Sequence, residues 1–95
     1  MYKLGTTKRF DKALKLCQKR GYPITELKKA IALLVENGNL LSEYKPHILH
    51  GNHEGEWEAH IRPNWLLIWE QNDDELTLLM LTTGTHSDVF GKTRR

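Results

Sequence analysis

The chain has 95 residues, 39% of them apolar and 27% charged, which suits a single domain over residues 1–95 with one modest core. Fourteen basic and 12 acidic side chains leave a net charge of +2, a balance that permits a nucleic-acid partner without arguing for one. Cys17 stands alone, so an internal disulfide is excluded and a cytoplasmic, reducing setting is expected. No apolar run reaches the length of a membrane span, and the first residues are too polar for a signal peptide.

Tyr2 to Leu4 reads as a short edge strand. Thr6 or Thr7 can cap a helix over residues 7–20, because a hydroxyl accepts from the unpaired N–H groups of a first turn. Phe10, Ala13, Leu14 and Cys17 lie on one face of that helix, and Gly21 stops it. Pro23 opens a second helix over 23–36, whose buried stripe is Ile24, Leu27, Ala30, Ile31, Leu34 and Val35. Asn37-Gly38 ends it. Two amphipathic helices on so short a link form an antiparallel pair in need of a sheet to cover.

Leu40 to Gly55 is a long connection that holds Lys45, His47, His50 and His53, with Pro46, Gly51 and Gly55 as breakers. Long ordered loops in small domains are often functional. Gly55 to Glu70 then reads as a hairpin. In its first strand, near 55–62, Trp57, Ala59 and Ile61 face one way and Glu56, Glu58, His60 and Arg62 the other. Pro63-Asn64 turns the chain. The second strand, near 65–70, is apolar on both faces, as a central strand is. A third strand over 75–82 puts Leu76, Leu78 and Met80 on one face and Leu79 and Leu81 on the other. Thr85 can cap a last helical turn, with Asp88 completing a capping box, and Lys92 to Arg95 is a basic, frayed end. Helices followed by a meander of strands predict an α+β fold, two N-terminal helices packed on one face of a small antiparallel sheet, the other face left to solvent or a ligand.

All five histidines follow residue 46. Imidazole is the side chain that exchanges protons near neutrality, although solvated surface histidines would give the same list. His47, His50 and His53 recur every third residue, yet the spacing matches no strong zinc signature. A third reading is metal-free RNA cleavage. There the 2′-OH attacks, one group removes its proton, another protonates the leaving 5′-oxygen, and a cation steadies the phosphate. His60 and Arg62 from one strand face, His47 from the loop before and His86 from the turn after could form that group, with Trp65 or Phe90 stacking on a base.

Three stretches, PHILHG (46–51), AHIRPNWLLI (59–68) and TGTHSDVFG (83–91), resemble in order and spacing the motifs of the YafQ-type toxins of the RelE superfamily, bacterial mRNA interferases of toxin–antitoxin pairs. The resemblance runs over nearly the whole chain. It implies that His47, His60 and His86 are catalytic, and that Trp65 and Phe90 lie at the substrate. Asn64 stands where related toxins often carry Asp; an amide cannot exchange protons, but it can orient a histidine or phosphate. Arg62 and Lys45 are placed as phosphate contacts by strand alternation and loop position. His50 and His53 match no catalytic position. The resemblance further implies mRNA cleavage in the ribosomal A site and a cognate antitoxin; the proton-transfer chemistry itself calls for no metal or cofactor, and the lack of a long apolar run for no membrane partner. A non-catalytic RNA- or protein-binding module on the same fold is the alternative.

Overall fold

The computed structural model describes residues 1–91; the basic end, Lys92 to Arg95, lies outside them. The chain runs β1 (Lys3–Thr6), α1 (Lys8–Lys19), α2 (Ile24–Asn37), β2 (His47–Ile48), β3 (Glu56–Arg62), β4 (Trp65–Asn72), β5 (Thr77–Gly84) and α3 (His86–Phe90). The predicted helices and strands are all present, with shifts of a residue or two at most ends. Thr7 caps α1, its hydroxyl oxygen accepting from the Phe10 amide at 3.0 Å. The same hydroxyl donates to the Leu81 carbonyl at 2.8 Å, so the cap also ties the helix to β5. Gly38 closes α2 at φ 73°, with its N–H on the Leu34 carbonyl. A Cβ at that position would sit 2.5 Å from the Tyr2 hydroxyl, so both the left-handed backbone and the space require glycine.

The five strands order as β1-β5-β4-β3-β2. β1 pairs parallel with β5, and every other pairing is antiparallel. α1 and α2 cover one face. Phe10, Cys17, Leu27, Ala30 and Leu34 pack there against Ala59, Ile61, Trp65, Leu67, Trp69, Leu78 and Met80. Ala59 and Ile61 are buried while His60 between them is partly exposed on the opposite face, which is the expected register. Trp57 is half-buried on the helix side and stacks on Trp69 at 5.9 Å.

Three local departures matter. Leu76, expected inward on the third strand, lies in the turn before β5 with φ 55° and is exposed. The register between β3 and β4 shifts between His60 and Arg62. This bulge turns Arg62 to the face of its partner Trp65, away from His60, because a one-residue slip inverts the side chains beyond it. The outer sheet face, expected to be open, is partly covered: Leu66, Ile68 and Val89 form a small second core with Leu49 and Leu81 against them. α3 and the residues before β3 supply that cover.

Candidate active site

The cover gives the histidines their geometry. His47 lies on β2, a two-residue strand inside what the sequence presents as a loop, and it pairs directly with Glu58 on β3. Directly opposed residues of an antiparallel pair share a face and lie close. His47 Nδ1–H donates to the Lys45 carbonyl at 3.0 Å, since a carbonyl only accepts. The other nitrogen, Nε2, then faces Glu58 Oε1 at 3.1 Å. Two residues along β3 on the same face, His60 Nε2 lies 3.7 Å from that same oxygen, and its Nδ1 faces the Pro63 carbonyl at 3.4 Å. Glu58 is 5% exposed. A carboxylate buried this deeply gains from any positive charge that forms beside it, and two imidazole rings lie against this one. The alternation of β3 that places Glu58 on the same face as His60 is legible in the sequence; the burial of Glu58 is not.

His86 opens α3. Thr85 caps this helix in a capping box with Asp88: the Asp88 amide donates to the Thr85 hydroxyl at 3.1 Å and the Thr85 amide donates to Asp88 Oδ2 at 2.9 Å. Arg20, at the end of α1, reaches across and grips the Asp88 carboxylate with both Nη atoms, at 2.5 and 3.1 Å. That guanidinium, aided by the Thr85 donors, holds the Asp88 carboxyl well below the usual carboxylate range. A Cβ on Gly84, whose φ is 144°, would meet the Asp88 side chain at 2.8 Å, so glycine lets the cap close over the strand end. Arg9 Nη2 donates to the Val89 carbonyl at 2.6 Å. A helix of five residues thus depends on α1 for its seat, and the seat sets the His86 ring 6.3 Å from His60 and 6.2 Å from Phe90, centre to centre.

The remaining predicted residues divide. Lys45 is exposed, in a left-handed conformation at φ 50°, and lines a cleft of about 230 Å³ with Glu43, His60 and Arg62. Arg62 borders that cleft, but its guanidinium makes two hydrogen bonds to Glu26 of α2, at 2.9 and 2.6 Å. The expected partnership of Arg62 with His60 on one face is therefore corrected by the bulge. Asn64 is exposed at the hairpin turn. Trp65 is also corrected: it is 3% exposed in the helix-side core, packs edge-on to Tyr22 at 5.0 Å, and donates from Nε1 to the Thr83 hydroxyl at 2.9 Å. Its neighbours leave no ring face for a base. Phe90 is 37% exposed at the mouth of the cluster. His53, which the sequence left aside, packs edge-on to Phe90 at 5.2 Å and hydrogen-bonds Glu56 at 3.2 Å. His50 is exposed. Among the described residues, no three His, Cys, Asp or Glu side chains are grouped to hold a metal ion. A cleft of about 670 Å³ across β1, β4 and β5 is lined by none of the histidines.

A small α+β domain with this histidine and carboxylate cluster on one sheet face has the fold of the RelE-like bacterial toxins. The crystal structure of YafQ from E. coli strain BL21(DE3) superposes with a TM-score of 0.88 at 34% identity, covering 96% of this chain and 100% of that one. That of the E. coli DinJ–YafQ toxin–antitoxin complex gives 0.86 at 35%, covering 95% and 98%. A metal-bound toxin from Helicobacter pylori gives 0.85 at 34%, covering 95% and 100%. The mRNA interferase toxin YafQ of E. coli K12 is 39% identical over 83 residues, which is 86% of this chain and 88% of that protein. The family described as bacterial toxin of type II toxin–antitoxin system, YafQ, matches residues 2–91. The chain belongs to that family.

Proposed function

We propose that this protein, an mRNA interferase toxin and so an endoribonuclease by family, cleaves mRNA at the ribosomal A site by metal-independent attack of the 2′-OH on the adjacent phosphate. The observation that carries the reading is the pair of imidazoles, His60 and His86, with ring centres 6.3 Å apart and the buried carboxylate of Glu58 behind one of them. A phosphate laid across the pair would have one ring toward the attacking oxygen and the other toward the leaving oxygen. In-line cleavage needs a base on one side and an acid on the other.

Glu58 divides the roles. A group that gains positive charge during reaction gains from a neighbouring carboxylate, and a group that loses it does not. His60, 3.7 Å from Glu58, is the base that takes the 2′-OH proton, and His86 the acid that returns one to the 5′-oxygen. His47, anchored at both ring nitrogens, fixes the carboxylate between the two imidazoles. Lys45, with no ion-pair partner among the described residues, supplies positive charge to the phosphate, and Asn64 at the turn can hydrogen-bond the same backbone. Phe90, 37% exposed, can pack against a base. The product is a 2′,3′-cyclic phosphate. The chemistry takes place in the cytoplasm on the ribosome, and a small cognate antitoxin blocks it, as DinJ is the named partner of YafQ in E. coli. Among the described residues no helix is long and apolar enough to cross a membrane.

Induction of the chain in a bacterial host tests the reading. Growth arrest, relief by the neighbouring antitoxin gene, and mRNA fragments ending in 2′,3′-cyclic phosphate are expected. Binding to ribosomes without cleavage would make it a non-catalytic module on the same fold.

A further inference from the structure

The outer sheet face holds a second cavity of about 230 Å³ that shares Phe90 with the histidine cluster but contains neither His60 nor His86. Ile68 and Phe90 are among its apolar lining, and Thr7, Arg9, His53, Glu56, Glu70 and Thr82 supply its polar groups. Thr82 is the telling residue. It is 3% exposed, and its hydroxyl has no hydrogen-bond partner among the described residues. Buried hydroxyls ordinarily have partners, and one without calls for an explanation. Thr82 pairs with Ile68 across β4 and β5, so its side chain shares the outer face with that of Ile68.

The carboxylates are a second anomaly. Glu56 and Glu70 oppose each other directly across β3 and β4, an arrangement that like charges disfavour. Glu56 is met by His53; Glu70 has no side-chain hydrogen bond or ion pair among the described residues. At the rim, the bond from Arg9 Nη2 to the Val89 carbonyl fixes the guanidinium and leaves further N–H donors. The cavity thus offers an apolar and aromatic lining, donors and unspent acceptors. That is the complement of a flat heterocycle, and the volume is ample for one.

We infer that this cavity reads a guanine base flanking the scissile bond, with Glu70 as the discriminating residue; the inference rests on the ribonuclease reading. A carboxylate has two acceptor oxygens and no donor. Guanine alone presents two adjacent donors, N1–H and N2–H, on its Watson–Crick edge. Adenine and cytosine set an unprotonated ring nitrogen beside their amino group, and uracil flanks its single N–H with carbonyls. The O6 and N7 acceptors of guanine suit Arg9 and the Thr82 hydroxyl, as Arg commonly reads those atoms in nucleic acids.

The test pairs binding with cleavage. Guanosine, adenosine, cytidine and uridine 5′-monophosphates are titrated into the isotope-labelled protein, its Glu70→Gln variant and its Thr82→Val variant, following backbone amide resonances. Guanosine monophosphate is expected to move Thr82, Val89 and Phe90 and to bind about tenfold or more tighter than the others, the discrimination of one good bidentate pair. Glu70→Gln should abolish that preference, and Thr82→Val should weaken guanosine monophosphate binding while the fold is kept. In single-turnover cleavage of programmed ribosomes, wild type should cut guanine-bearing codons faster than adenine-bearing ones. Glu70→Gln should equalise the two classes of codon. No guanine preference in binding, resonance shifts confined to other surfaces, or an unchanged preference in Glu70→Gln overturns the inference. Guanosine monophosphate seated at Thr82 on a protein that cleaves no RNA would uphold the subsite and overturn the ribonuclease reading. Cleavage without guanine preference would do the reverse.

Discussion

Glu58→Gln is the sharpest test of the proposed mechanism, because it changes one charge and almost no volume. In the resting site the carboxylate meets His47 at 3.1 Å and His60 at 3.7 Å. When His60 takes the 2′-OH proton, a full positive charge forms beside that carboxylate. Two unit charges about 4 Å apart attract by about 4 kcal/mol at an effective dielectric constant of about 20. The His60 side chain is 23% exposed, so water screens part of this, and about 2–3 kcal/mol of the transition-state stabilisation belongs to Glu58. That corresponds to a loss of roughly 10²-fold in rate. The fold should be nearly indifferent. The contacts of Glu58 with the two rings are changed, but burying a carboxylate carries a desolvation cost that the amide avoids. Single-turnover cleavage of programmed ribosomes supplies the rate, and urea unfolding the stability. If Glu58 acts through His60, the double variant with His60→Gln should be no slower than His60→Gln alone, since residues acting as one unit are not additive. Wild-type cleavage by Glu58→Gln, or a full additive loss in the double variant, would refute the reasoning.

His60→Gln and His86→Gln should each slow cleavage about 10²–10⁴-fold with the circular dichroism spectrum kept; His50→Gln is the control, because His53 touches Phe90 and hydrogen-bonds Glu56 and is too near the cluster to serve. Asp88 gives a pH prediction: its folded-state carboxyl titrates well below the ordinary value of about 3.9, so its contribution is complete above the unfolded value and is lost as pH falls through the folded one. Asp88→Asn should therefore lower the thermal midpoint at pH 6 and converge with wild type in strong acid, and an equal deficit at pH 6 and pH 2 would count against the Arg20–Asp88 clamp. Cleavage should survive a zinc chelator that leaves ribosomal magnesium in place, while loss on chelation and recovery with zinc would favour a metal mechanism.

Local signals in the sequence determined the elements and one face of the sheet. Thr7 and the Thr85–Asp88 box act within four residues of themselves, and their hydrogen bonds form as read. The alternation Trp57, Ala59, Ile61 against Glu58 and His60 fixed the register, because one side of β3 had to be apolar to meet the helices. The order of the three motifs was enough to indicate the family. What the chain's periodicity could not carry was anything set by contacts between distant segments. The parallel pairing of β1 with β5 joins residues more than seventy apart, and no local pattern encodes a partner at that distance. The bulge before Arg62 and the burial of Trp65 follow from how β3 and β4 fit under the helices, so a cation and an aromatic that looked available for substrate are spent on Glu26 and Thr83. β2 is only two residues long, too short for any period. Yet its pairing brings His47 to Glu58 and, with α3 seated by Arg20 and Arg9, closes the outer face over a carboxylate. Burial is a property of what the rest of the chain lays on top of a residue, and for Glu58 and Thr82 only the tertiary structure decided it.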